Sequence, residues 1–186
     1  LLLSLALFTS CSSSYPRKVL RVGVAANYPP IIFKENGQLK GMEVDFAHAL
    51  AKELKKKVEF VEIDWTSLIP ALNRGQIDII MSGMSITESR SRIIQFTEPY
   101  CSISQMLLVR SNEVGRFKKP GNKYYINSGI VIGVSKGTTG EALARQHLPK
   151  NRVISFDTVK QGTIALKERH IDCYLHDAPT IWQYAD

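Results

Sequence analysis

Ile79-Ile80-Met81-Ser82-Gly83-Met84-Ser85-Ile86-Thr87-Glu88-Ser89-Arg90 reads as an apolar strand that stops at a Ser-Gly pair, passes through small and hydroxyl-bearing residues, and restarts as a helix at Thr87. A strand end followed by a glycine and a helix start leaves several backbone N–H groups unpaired and aimed one way, which suits an anion. Arg90 adds a planar cation able to grip a carboxylate through two hydrogen bonds. Taken alone, the stretch reads equally as a surface loop with an exposed arginine. The chain on either side decides between the two.

Upstream, Val19-Leu20-Arg21-Val22-Gly23-Val24 alternates as a strand and runs into Ala25-Ala26-Asn27-Tyr28-Pro29-Pro30, which is loop chemistry. Asn36-Gly37 marks a short hairpin. Gly41-Met42-Glu43-Val44-Asp45 opens a helix whose apolar positions are expected at Phe46, Ala49, Leu50 and Leu54. Residues 58–63 form the next expected strand, Asp64 or Thr66 caps a helix carrying Leu68, Ile69 and Leu72, and Gly75 stops it before a strand over residues 77–81. Strand, helix, strand, helix, strand is the pattern of a parallel sheet covered by helices.

Downstream the plan repeats. An apolar stretch over residues 103–109 leads into a polar linker over 111–127, and Ile130-Val131-Ile132-Gly133-Val134 reads as a buried strand. Gly137-Thr138-Thr139-Gly140-Glu141 opens a helix, residues 153–156 form a strand, Asp157 is expected to cap the helix of Val159, Ile164, Ala165 and Leu166, and Ile171-Asp172-Cys173-Tyr174-Leu175 is a strand ending at His176-Asp177. No repeat is visible in sequence, yet the halves share an architecture. The expected fold is α/β with two lobes, each a mostly parallel sheet with flanking helices, and a cleft between them. Ala178-Pro179-Thr180 starts a helix close to Asp186, so the C-terminal part of the second lobe is expected to be missing.

The chain has 186 residues with 24 Lys and Arg against 17 Asp and Glu, a formal net charge of +7, enough length for one sizeable core or two small ones. The basic residues are scattered apart from Lys55-Lys56-Lys57 and the segment 116–123, and no aromatic stacking pattern accompanies them, so both groups read as solvated surface and not as a nucleic-acid site. Leu1-Leu2-Leu3-Ser4-Leu5-Ala6-Leu7-Phe8 is an apolar run followed by Thr9-Ser10-Cys11, similar to the tail of a bacterial lipoprotein signal in which Cys11 becomes the lipidated residue. Phe8 departs from that motif, and the front of the signal is expected to be missing. Cys101 and Cys173 are expected as buried free thiols.

The groups at the ends of the expected parallel strands are Tyr28, Trp65, the 82–90 stretch, Gly137 to Thr139, and His176-Asp177. They supply a cation, a carboxylate, hydroxyls and aromatics, matching the carboxylate, ammonium and side chain of an α-amino acid. The four histidines show no metal-ligand spacing, and no nucleophile elbow, phosphate loop or Cys-x-x-Cys occurs. His176 beside Asp177 is the one candidate acid–base pair, weakened because neighbouring strand residues face opposite ways. No catalytic residue, metal site or cofactor is assigned.

As a set, these segments resemble the family 3 bacterial extracellular solute-binding proteins, the polar amino-acid receptors of ABC importers. The match runs through Asn27-Tyr28-Pro29-Pro30, Gly41-Met42-Glu43-Val44-Asp45, Trp65 with Leu68-Ile69-Pro70-Ala71-Leu72, Gly75-Gln76-Ile77-Asp78-Ile79, the 82–90 stretch, Phe96 with Glu98-Pro99-Tyr100, Gly137-Thr138-Thr139, and Asp172 with His176-Asp177-Ala178-Pro179.

The resemblance implies a periplasmic-binding-protein-like fold of type II that closes on its ligand by hinge bending. Residues 1–18 would be a signal-peptide remnant, lipidation site and tether, residues 19–100 a first lobe lacking its C-terminal return segment, and residues 101–186 the hinge crossing and a truncated second lobe. Arg90 would hold the ligand carboxylate with backbone groups at Ser82, Gly83 and Ser85 and with Thr139. Asp177 would take the ammonium, Tyr28 and Trp65 would sandwich the side chain, and His176 would be a further contact. The implied protein is an exported monomer, lipid-anchored in the cell envelope, that binds a free amino acid and delivers it to ABC permease subunits. Members that take arginine or lysine often carry a carboxylate where Ala25 stands, which favours a neutral, glutamine-like ligand. A sensory domain, or a dehydratase-type enzyme on the same scaffold, stays open.

Overall fold

The computed structural model describes residues 18–117, 126–148 and 152–185; Cys11 and the N-terminal segment 1–17 lie outside them. Two separate sheets build two α/β lobes. In the first, β1 (Val19–Val24) lies between β5 (Lys57–Glu62) and β6 (Ile79–Ile80), all parallel. A small antiparallel sheet of β2 (Asn27–Tyr28), β3 (Ile32–Glu35) and β4 (Gln38–Lys40) stands beside it. Asn36 (φ 50°) and Gly37 (φ 79°) turn the β3–β4 hairpin, the positive-φ pair that matches the twist of two-residue hairpins.

Helix α1 (Met42–Glu53) covers one face of this sheet, and α2 (Leu68–Asn73) covers the other. The buried stripe of α1 is Glu43, Ala47 and Ala51; of the expected Phe46, Ala49, Leu50 and Leu54, Leu50 packs on the core partly buried, while Phe46 is 41% and Leu54 48% exposed. The small alanines bring the helix close to Leu20, Val22 and Val24 of β1, while Phe46 turns outward against the ring of Tyr100 at 5.5 Å. The strand expected over 77–81 is only two residues long, although Asp78 and Met81 on either side still donate to the β1 carbonyls of Arg21 and Gly23; after Met81 the chain turns away at Ser82-Gly83.

Residues 95–104 cross to the second lobe without forming helix or strand. There the sheet order is β7 (Gln105–Val109), β10 (Cys173–Asp177), β8 (Val131–Ser135), β9 (Arg152–Phe156), with β7 antiparallel to β10 and the rest parallel. Helix α4 (Thr139–His147) packs on one face with Ile132, Val134 and Leu175, and α5 (Val159–Lys167) and α6 (Ala178–Tyr184) pack on the other around Tyr174 and Ile171. Burying each such aliphatic side chain contributes about 1.5–3 kcal/mol, which makes each sheet the centre of its lobe's stability.

Three local expectations are corrected. Thr158, not Asp157, caps α5, in a reciprocal box with Gln161, since the threonine stands one residue nearer the first helical turn. The linker starts as a 3-10 helix, Ser111–Phe117, which drives Phe117 into the second core at 2% exposure. Cys101 is exposed because it sits in the crossing segment and not in a strand, whereas Cys173 is buried in β10; both are free thiols.

Candidate functional site

The cleft between the lobes is lined by Asn27, Tyr28, Trp65, Ser82, Gly83, Ser85 and Arg90 from the first lobe and by Ser135, Lys136, Thr138, Thr139, Asp157, Val159, His176 and Asp177 from the second. Every residue singled out from sequence as a ligand contact is among them. The space they enclose is about 60 Å³, because the lobes touch directly.

On the first-lobe wall, the Ser82 hydroxyl is buried and accepts a hydrogen bond from the Ala25 N–H at 2.9 Å, tying the end of β1 to the turn after β6. Gly83 sits at φ 63°, and a Cβ there would stand 2.3 Å from Cε1 of Tyr28, so only glycine lets the Tyr28 ring pack on the turn. Thr87 caps the short helix α3 (Glu88–Ser91), its hydroxyl accepting from the Arg90 N–H at 3.2 Å. That turn throws the Arg90 side chain into the cleft. Its guanidinium donates to Ser85 O at 2.8 Å and to Gly137 O at 3.0 Å, and stands 5.3 Å from the Trp65 ring centre. Among the described residues no carboxylate forms an ion pair with it. Burial lowers the Arg90 pKa, with Asp177 opposing, yet an arginine in a protein stays charged.

The second-lobe wall is built on the end of β10. His176 is buried, edge-on to Tyr28 at 6.2 Å and stacked on Tyr174 at 6.1 Å; burial lowers its pKa and keeps it neutral near pH 7 despite Asp177. Asp177 starts α6, but its carboxylate makes no cap hydrogen bond to that helix. Instead it accepts from the side-chain amide of Gln105, which also donates to the Thr139 hydroxyl at 3.3 Å. Burial, and then the Asp177 charge, pushes the Tyr28 phenol well above its usual pKa. Two buried polar atoms around this carboxylate, the Tyr28 hydroxyl oxygen and Gln105 Oε1, have no well-formed hydrogen bond among the described residues. Such atoms cost stability unless something polar meets them.

Sequence reasoning missed three residues that shape these walls. Gln105 faces Asp177 only because β7 pairs antiparallel with β10, a register no local pattern announces. Glu141 accepts the Gly137 N–H at 2.7 Å while also bonded to Ser155 and Arg145, which leaves the Gly137 carbonyl facing the first lobe. Glu43 accepts the Gly83 N–H with both carboxylate oxygens at 3.0 Å. A glutamate in the buried stripe of an otherwise apolar helix face was the available signal.

A cation on one lobe, a carboxylate on the other, and a cleft at the strand ends of two α/β lobes define the type II periplasmic-binding class. The family described as bacterial extracellular solute-binding proteins, family 3, matches residues 20–173, and the chain belongs to it. It is 32% identical over 172 residues to the "Probable histidine-binding protein" of Neisseria gonorrhoeae, covering 91% of this chain and 62% of that protein. It is 30% identical over 178 residues to "ABC transporter arginine-binding protein 1" of Escherichia coli strain K12, covering 95% of this chain and 70% of that protein. Among solved structures, the ancestral amino acid-binding protein AncCDT-1, described as a precursor of cyclohexadienyl dehydratase, superposes with a TM-score of 0.82 at 37% identity over 90% of this chain and 74% of that one. The chain thus spans roughly two thirds of the length of these relatives, between 62% and 74%.

Proposed function

We propose that this chain is the ligand-capturing part of an extracytoplasmic receptor that binds one polar amino acid between its lobes and delivers it to the permease of an ABC importer. The observation that carries the reading is that Arg90 of the first lobe and Asp177 of the second line one cleft. Arg90 takes the α-carboxylate, helped by the backbone at Ser82 and Ser85 and by Thr139; Gly83, also expected to contribute its backbone, gives its N–H to Glu43 instead. Asp177, oriented by Gln105, takes the α-ammonium. Tyr28 and Trp65 flank the side chain, with neutral His176 beside them. Once the α-groups are matched, the remaining charges in the cleft are Lys136 and Asp157, 3.9 Å apart and cancelling one another. With Ala25 supplying no carboxylate, the balance favours a neutral polar side chain such as that of glutamine over arginine or lysine.

We read the chain as a receptor and not an enzyme, exported, anchored through Cys11 and acting as a monomer; turnover of a candidate substrate by purified protein would overturn the first of these. The direct experiment is a thermal-shift screen against the standard amino acids one at a time. A ligand at about a hundred times its dissociation constant adds roughly 2.7 kcal/mol, a rise of several degrees. Glutamine is expected to shift the transition most; no shift with any amino acid in a folded preparation would sink the reading.

A further inference from the structure

Glu43 is the largest buried charged group in the first lobe that amino-acid capture, as described above, does not use. It is 1% exposed, at the second position of α1, in contact with two segments distant in sequence. Its carboxylate takes the Gly83 N–H in the cleft turn with both oxygens, and the Tyr100 hydroxyl from the crossing segment donates to Oε1 of the same carboxylate. Gly83 is the residue against which the Tyr28 ring packs, and it sits between Ser82 and Ser85, two of the cleft-lining positions. Tyr100 is one of the last residues before the chain enters the second lobe, where Gln105 holds Asp177. A single side chain therefore joins the backbone that shapes one wall of the cleft to the segment that links the walls.

We propose that Glu43 is a positioning residue for ligand capture, fixing the Gly83 turn to the Tyr100 crossing so that the shape of the first-lobe wall and the relative placement of the lobes are set together. The carboxylate is shared between a backbone amide of the site and a hydroxyl of the crossing; burial raises the Glu43 pKa, and the Tyr100 and Gly83 bonds, which favour the charged form, offset part of that rise. Loosening either bond frees the turn from the crossing without touching a residue that lines the ligand with its own side chain.

This inference rests on the receptor reading for its affinity arm and stands apart from it for its second arm. In the first, Glu43→Gln, Tyr100→Phe and the double variant of the full chain are titrated calorimetrically with L-glutamine, L-arginine and L-histidine, counting only folded protein. Each single variant is expected to weaken binding about tenfold, the scale of losing a hydrogen bond to a charged group, and the double variant to lose much less than the product of the two. Wild-type affinity in both single variants, or strictly multiplicative losses, overturns the proposal. Should Glu43→Gln not fold, Tyr100→Phe keeps the glutamate and carries the test alone. In the second arm, amide hydrogen exchange is followed in ligand-free protein: Tyr100→Phe must speed exchange at Gly83, some 17 residues away in sequence by the numbering. Unchanged exchange there overturns the linkage even if wild-type protein binds no amino acid, an outcome that would separately remove the receptor reading.

Discussion

Arg90 and Gly137 meet across the cleft: the guanidinium donates to the Gly137 carbonyl oxygen at 3.0 Å, and the Trp65 indole N–H donates to the same oxygen at 3.1 Å. A carbonyl oxygen has two lone pairs and accepts both. Two first-lobe side chains thus hold one backbone atom of the second lobe, and Glu141 holds the other side of that peptide's residue through its N–H. For Arg90 the Gly137 carbonyl is a weak partner compared with a carboxylate, which would accept two charge-assisted bonds in the plane of the guanidinium. An incoming amino acid is expected to take Gly137's place.

From that exchange follows the first prediction. Arg90→Ala and Asp177→Ala are each expected to cost about 2–5 kcal/mol of ligand binding, since each leaves a desolvated charge of the ligand unpaired. Arg90→Lys should recover little, because an ammonium cannot form the planar pair. Calorimetric titration checks all three; wild-type affinity in Arg90→Ala or Asp177→Ala removes that residue from the site.

Trp65 should report ligand capture optically. The chain has two tryptophans, and Trp182 is 64% exposed on α6, so Trp182→Phe leaves Trp65 as the single indole at little cost to stability. Its emission is expected to shift when an amino acid displaces the Arg90 contact and the Gly137 bond rearranges. A ligand that raises the melting temperature while leaving this emission unmoved would place binding elsewhere.

Gly83→Ala combines two penalties, a side chain at φ 63° and a Cβ 2.3 Å from the Tyr28 ring. Strain of this kind costs about 1–3 kcal/mol, and relief by moving Tyr28 would deform the cleft. Both the melting temperature and ligand affinity are expected to fall. A fall in stability with affinity intact would mean that Tyr28 is not a wall of the site.

Acid stability turns on the second lobe. Arg110 first, then Arg116 and Arg169, hold the Glu113 carboxyl down at about 2. An ordinary glutamate titrates at roughly 4.3, so the folded value lies below the unfolded one. This contribution is present above pH of about 4.5 and is lost as the pH falls towards 2. Glu113→Gln should therefore lower the melting temperature clearly at pH 7 and little near pH 2. An equal loss at both would show that the ion pairs contribute nothing specific.

The two thiols should differ chemically. Cys173 is buried and its thiol is pushed up to about 12, chiefly by burial, whereas Cys101 is exposed. Thiolate is the reactive form, so brief alkylation of the native protein followed by peptide mapping is expected to modify Cys101 and spare Cys173.

The α/β class, the two-lobe plan and most of the cleft lining are legible in the chain because they rest on local signals: hydrophobic runs of strand length, glycine and hydroxyl turns before helices, and the helix restart at Thr87 just before Arg90. Even the hairpin at Asn36-Gly37 and the half-buried Asp177 at the end of β10 follow from patterns within a few residues. Relationships between segments far apart in the chain are set by packing and not by local pattern. Close helix–sheet packing puts Ala47 and Ala51 on the buried face of α1 in place of the bulkier Phe46, a preference that a count of apolar residues cannot weigh. Gln105 reaches Asp177 through an antiparallel strand pairing, Glu43 reaches Gly83 and Tyr100 through the docking of α1, and Gly137 reaches Arg90 and Trp65 only when the lobes meet. Each is a hydrogen bond whose partners are brought together by burial of apolar surface elsewhere, so the pairing depends on the whole packed fold, and the residues on either side do not name the partner.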